Sequence, residues 1–355
     1  MIDVGIITFH YINNYGALLQ AFALKKAIDN FEGYHAEIIN YIPEKFEYFP
    51  YEIGPVGKEK MEKKISELHR FLIDRCEINM QVISDISKLD YDIYCVGSDQ
   101  VWNFNISQSD LTYLLDVIPT EKKRISYASS IGLPVGEIER YKDVFIRTLS
   151  KFDFLSVREA EHAEWIKKKL GLSCKTVLDP TFLIDVTEYE KMITGLNLRE
   201  KDFVLFLWYD HDNQLDKAIE FVNTVSRKYV LPIVHNLVHV RHYKLADDYG
   251  NMFYEGVENF LWYIKNAKVV VTNSYHTMLF SIHFETPFYV YIVESMRSRF
   301  DTLGAVGNIN QHYVEKYIEP KEISIDMDFR TIKEELKEYT DDSREYLANA
   351  LGVAK

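Results

Sequence analysis

Short runs of β-branched and aromatic residues alternate along the chain with longer stretches in which apolar positions recur every three or four residues. Val4–Thr8 has the first pattern. Gly16–Asn30 has the second, with Ala17, Leu18, Ala21, Leu24, Ala27 and Ile28 on one face. The alternation continues with a strand at Ala36–Tyr41, a helix at Lys58–Asn79, strands at Tyr91–Val96 and Arg124–Ser130, and a helix at Ile138–Phe152. Phe154–Val157 then leads into a helix, Ala160–Leu170, stopped by Gly171. The second half repeats the scheme: strands at Phe203–Trp208, Pro232–Asn236, Lys268–Val271 and Phe288–Val293, helices at Gln214–Lys228 and Val257–Asn266. Thr331–Leu351 reads as a charged amphipathic helix pair, and the aromatic stretch Phe46–Tyr51 as an irregular surface loop. Strand–helix alternation implies parallel sheets with right-handed crossovers, here in two doubly wound α/β domains. The expected division is 1–190 and 191–330, with 331–355 packing back on the first domain.

Length agrees, since 355 residues exceed one ordinary core. A formal charge of −13 argues against a nucleic-acid partner, because counterion release needs a basic surface. Cys76, Cys95 and Cys174 show neither pair motif nor metal spacing and read as reduced thiols of a cytoplasmic protein. MIDVGIITFH reads as a first strand and not a signal peptide, and no apolar run approaches the ~20 residues that span a bilayer. Tyr, Phe and Trp make up 14% of the chain, which suits sugar faces but is explained as well by core filling.

Polar groups gather where strands end, the edge at which open α/β sheets bind ligands. Asn14 and Tyr15 open the first helix, where capping competes with a sugar contact. Gly97 lets the chain turn off a strand into Ser98, Asp99, Gln100 and Trp102, a carboxylate, amide and indole that suit a carbohydrate or form a capped turn. Arg158 follows another strand and suits a carboxylate or phosphate, or a salt bridge. Asn273 and Ser274 precede His276 at the mouth of a helix, with Arg297 and Arg299 just downstream. A lone histidine there suits a buried, backbone-satisfied ring equally well. Three arginines and a histidine at strand ends of an acidic chain point to a local anion site.

Six ordered strings, GIITFHYINNYGALLQAFAL, YDIYCVGSDQVWN, RISYASSIG, FLSVREAEHAEWI, VLDPTFL and VVVTNSYHTMLFSIHFETPF, resemble the polysaccharide pyruvyl transferase family from the first strand to about Asn308. The resemblance implies a GT-B-like fold of two Rossmann-like domains facing a cleft, acceptor side first and donor side second. It implies transfer of the pyruvyl group of phosphoenolpyruvate onto a sugar of a bacterial cell-surface (capsular or exopolysaccharide) polymer or its lipid-linked precursor, as a ketal. It assigns His276 as proton donor and Arg158 to the donor. Many members carry arginine where this chain has Ser274, and Arg299 is the residue placed to compensate. Asp99 is the expected group for orienting or deprotonating the acceptor hydroxyl. No cofactor or metal is expected, and a homo-oligomer or attachment to the inner membrane face is compatible. Two rivals remain open: a GT-B nucleotide-sugar glycosyltransferase and a non-catalytic glycan-binding protein.

Overall fold

The computed structural model describes residues 1–43, 55–199, 201–209, 214–238, 256–315 and 318–353. The aromatic loop read at Phe46–Tyr51 lies outside the described residues. Two compact units emerge, one formed by 1–57, 65–184 and 336–355, the other by 58–64 and 185–335.

In the first unit a parallel sheet is built from β1 (Ile2–Ile7), β2 (Tyr34–Ile38), β3 (Ile93–Val96) and β4 (Lys123–Ser126), in the order β2-β1-β3-β4. Its register pairs Val4 with both Ala36 and Ile93. All four β3 residues are buried, as expected of a parallel strand covered on both faces. Between the strands run α1 (Tyr15–Asp29) and α2 (Pro55–Asp74). Asn14 caps α1, its side chain accepting from the amides of Gly16 and Ala17 at 2.9 and 3.3 Å. Proline at the first position of α2 starts that helix before Lys58, since its missing N–H would have had no helical partner. A two-stranded parallel sheet, β5 (Ser156–Val157) with β6 (Lys175–Thr176), sits beyond β4, bridged to it through Ile125 and Phe154. The core joins Ile7, Phe9, Tyr94, Trp102, Phe145 and Trp165.

The helix expected over Ile138–Phe152 is three pieces: α3 (Val135–Ile138), a 3-10 turn at Glu139–Tyr141 and α4 (Lys142–Leu149). Tyr141 leaves helical geometry (φ −103°, ψ 7°) where its ring packs edge-on against Phe104 at 4.5 Å. α5 (Ala160–Trp165) runs on as a π-helical turn to Leu170, and Gly171 ends it with φ +70°. β4 stops at Ser126 rather than Ser130, because Ala128 takes a positive φ of 49°.

The second unit has a five-stranded parallel sheet ordered β11-β10-β9-β7-β8, from β7 (Val204–Tyr209), β8 (Ile233–Val238), β9 (Val269–Thr272), β10 (Phe288–Tyr291) and β11 (Tyr313–Val314). The helices are α6 (Val186–Met192), α7 (Leu215–Tyr229), α8 (Val257–Asn266), α9 (Tyr275–His283) and α10 (Arg297–Gly304). Six consecutive buried residues in β7 and four in β9 make these central strands. The expected C-terminal helix pair is one helix, α11 (Phe329–Leu351). Within it, Ser343 donates its hydroxyl to Tyr339 O at 2.7 Å and accepts from Leu178 N at 2.9 Å, which ties the helix to the first unit. Its residues from Leu336 onward belong to the first unit. No helix among the described residues is long and apolar enough to cross a membrane.

Candidate functional site

Every strand of both main sheets runs parallel to its neighbours, so each unit presents a single carboxyl edge. In the first unit, the chain leaves β3 through Gly97, whose φ of +113° and contact with Tyr127 O and Ser129 leave no room for a side chain. Ser98 follows, fully buried. Its N–H donates to Gln20 Oε1 at 3.0 Å, its carbonyl accepts from Thr8 Oγ1 at 3.0 Å, and its hydroxyl donates to Ala128 O at 3.1 Å, with Asp179 Oδ2 at 3.4 Å. Asp99 comes next with φ +67°, its carbonyl accepting from Ser130 N at 2.8 Å. Its Oδ1 accepts from the Gln100 amide at 2.8 Å, and no hydrogen bond or ion pair among the described residues engages Oδ2. Gln100 is half-buried, its carbonyl Oε1 accepting from Asn103 Nδ2 at 3.0 Å.

Three candidates from sequence take a different place: Ser98, whose polar groups are spent inside the protein, and two aromatic residues. Trp102 is fully buried, donating Nε1–H to Tyr113 O at 2.9 Å and packing edge-on against Phe152. Tyr15 is likewise fully buried. Both rings fill the core rather than offering a face to a sugar. Their spacing alone could not distinguish these uses, because a turn of the chain decides which way each ring points.

Arg158 is only 2% exposed, and its guanidinium faces Asp179 Oδ2 at 2.9 Å and Glu159 Oε1 at 3.7 Å. Glu159 in turn accepts from Ser130 Oγ at 2.5 Å and meets His162 Nδ1 at 3.1 Å, while His162 Nε2 lies 2.8 Å from Leu133 O. With an acceptor facing each ring nitrogen, the protonated imidazole satisfies both. Burial opposes charge on Glu159, but the His162 hydrogen bond and charge, then Arg158 and Ser130, bring its pKa down to about 2. Burial also opposes charge on His162, and Glu159 more than offsets it, so its pKa is raised. Gln20, Ser130, His162 and Asp179 were not among the residues singled out from sequence. A polar Gln20 inside the run Leu18–Phe22 and the Asp179-Pro180 pair were the available signals.

In the second unit the edge is set by Asn273, whose side chain bonds Tyr209 twice: Oδ1 accepts from its N–H at 2.9 Å, and Nδ2 donates to its carbonyl at 2.6 Å. The ends of β9 and β7 are thus tied together. Ser274 caps α9, its hydroxyl accepting from Thr277 N at 3.3 Å. His276 is the second residue of that helix, 8% exposed, its ring edge-on to Tyr275 at 5.6 Å. Tyr275 packs on Phe300 of α10, the helix that carries Arg299, which is 9% exposed. Arg297, on the same helix, donates Nε–H to Glu294 at 2.9 Å and Nη1–H to Glu315 at 2.7 Å. Those hydrogen bonds, Glu315 first, raise its pKa further and keep the guanidinium charged and paired. No group of three or more His, Cys, Asp or Glu among the described residues is placed to hold a metal ion.

Comparison with known proteins gives this arrangement a context. The family model described as polysaccharide pyruvyl transferase matches residues 14–295, most of the chain. The chain belongs to the polysaccharide pyruvyl transferase family. No curated protein matches it. Among solved structures it is similar to a putative UDP-N-acetylglucosamine 2-epimerase from Listeria monocytogenes (TM-score 0.56, 9% identity, covering 98% of this chain and 90% of that one). It is similar also to the UDP-N-acetylglucosamine 2-epimerase from Rickettsia bellii (TM-score 0.55, 11% identity, 99% and 97% covered). A third is the Neisseria meningitidis UDP-GlcNAc 2-epimerase bound to UDP-GlcNAc (TM-score 0.51, 10% identity, 99% of each chain covered). At such identities the likeness concerns fold, and it establishes this pyruvyl transferase family member as GT-B-like.

Proposed function

We propose that this family member transfers the pyruvyl group of phosphoenolpyruvate to a sugar of a polysaccharide or its lipid-linked precursor, closing a ketal across two hydroxyls. The observation that carries the reading is the family match over residues 14–295, which includes a histidine at the carboxyl edge of a parallel sheet, His276. The chemistry starts with a proton on the methylene carbon of the enol, leaving an oxocarbenium at the neighbouring carbon. His276, at the amino end of α9, is the group assigned to donate that proton. One sugar hydroxyl adds and loses its proton, phosphate departs with the ester oxygen, and the second hydroxyl closes the ring with loss of a second proton.

Arg299 is assigned to the donor's carboxylate and phosphate, and Asn273 and Ser274 shape the end of β9 that leads to His276. Arg297 and Arg158 reach an incoming anion only by exchanging a carboxylate they already hold. Asp99, whose Oδ2 meets no partner among the described residues, orients or deprotonates the acceptor hydroxyl, with Gln100 and Asn14 at the same sheet edge. The route uses no metal or cofactor. The test is phosphate release and product mass with labelled phosphoenolpyruvate over a panel of prenyl-diphosphate glycans and polymers. Ketal product dependent on His276 supports the reading. Turnover of UDP- or GDP-sugars instead, with phosphoenolpyruvate inert, overturns it.

A further inference from the structure

Gln20 is a fully buried amide in the second turn of α1, beyond the capping positions where polar side chains are normally useful. Each of its polar atoms is committed. Oε1 accepts from Ser98 N at 3.0 Å, and Nε2 donates to Thr8 Oγ1 at 2.9 Å and to Ala17 O at 2.7 Å. Thr8 passes the contact on, donating its hydroxyl to Ser98 O at 3.0 Å. One amide therefore holds both backbone groups of Ser98, directly on the nitrogen side and through Thr8 on the carbonyl side. The residue that follows is Asp99, held at φ +67° and 6% exposed, whose Oδ2 meets no hydrogen-bond partner among the described residues. A buried polar group this fully satisfied fixes one arrangement of its partners, since any shift of Ser98 leaves an unpaired amide in the core.

We infer that Gln20, acting with Thr8, is a positioning residue that sets the direction of the Asp99 carboxylate toward the acceptor hydroxyl. The assignment rests on the pyruvyl-transfer reading above. It concerns the acceptor side alone, so it separates the two substrates kinetically.

The experiment is a double-mutant cycle. Gln20→Leu removes the amide at similar volume, and Thr8→Val removes only the hydroxyl bridge at nearly unchanged shape, so it serves where Gln20→Leu does not fold. Each is measured alone and with Asp99→Asn, with the thermal transition recorded for every variant. In the native background each variant lowers kcat by about tenfold or more, as expected for a misaimed group, and leaves KM for phosphoenolpyruvate within about twofold. In the Asp99→Asn background each costs less than about twofold further, because the group being aimed is gone. Equal losses in both backgrounds, or a parallel rise in KM for phosphoenolpyruvate, overturn the assignment while leaving the functional reading intact. A wild-type protein with no turnover of phosphoenolpyruvate overturns both.

Discussion

Glu159→Gln removes one negative charge from a fully buried set in which Glu159 faces His162 at 3.1 Å and Arg158 at 3.7 Å. In the folded protein the Glu159 carboxyl is lowered from 4.5 to about 2. Because the folded value is depressed, the stabilisation is present above pH 4.5 and is lost as pH falls through the folded value. A shift of that size corresponds to roughly 3 kcal/mol at neutral pH. For a cooperative unit of this size that is a fall in Tm of roughly 6–12 °C. The signature is in the slope. Between pH 4.5 and about 2 the unfolded wild-type chain binds a proton at Glu159 that the folded one does not. Its stability therefore drops by up to about 1.4 kcal/mol per pH unit more steeply than that of the variant. His162 adds the opposite limb: its raised folded pKa gives stability below the ordinary 6.5 that fades as pH climbs through the raised value. Urea unfolding of both proteins from about pH 9 to about pH 2.5 measures the two slopes. Parallel curves for wild type and variant would refute the buried ion pair as the source of this stability.

Gly97→Ala places a methyl group against Tyr127 O and Ser129 at a φ of +113° and is expected to cost about 2 kcal/mol or more, read as Tm. Because it displaces the Ser98–Asp99 turn, it also lowers kcat while phosphoenolpyruvate binding by calorimetry stays unchanged. Arg297→Gln breaks a partly exposed pair with Glu294 and Glu315, so stability falls by less than about 1 kcal/mol and KM for phosphoenolpyruvate moves by less than about twofold. Arg299→Gln, by contrast, raises that KM by about tenfold or more, as loss of a charge-assisted contact requires. Steady-state kinetics of the two variants side by side checks the assignment.

The alternation of strands and helices was legible because parallel strands are apolar throughout and their crossover helices carry a period of three to four. Val269–Val271 and Phe203–Trp208 announce central strands almost without context. The cap at Asn14 could be read too, since a polar side chain before an apolar helical run has a local job. Element ends were less legible where tertiary contacts decide them. The break at Tyr141 answers to Phe104, 37 positions away by the numbering. The same holds for the site. His276 and Asp99 stand out by position after a strand, but whether Trp102 faces solvent or core depends on Tyr113 and Phe152. Arg158 looked like an anion contact, and the carboxylate that holds it, Asp179, lies 21 residues on, across a strand pair. Nothing in local spacing joins those two.

Proton delivery to the enol carbon is tested most directly by running the reaction in deuterated water and weighing the ketal. Wild-type protein, phosphoenolpyruvate and a competent acceptor should give a pyruvyl methyl carrying one deuterium, formed in step with phosphate release. The His276→Ala protein, folded by its thermal transition, should form no such product. Deuterated ketal made by that variant at the wild-type rate would contradict the account.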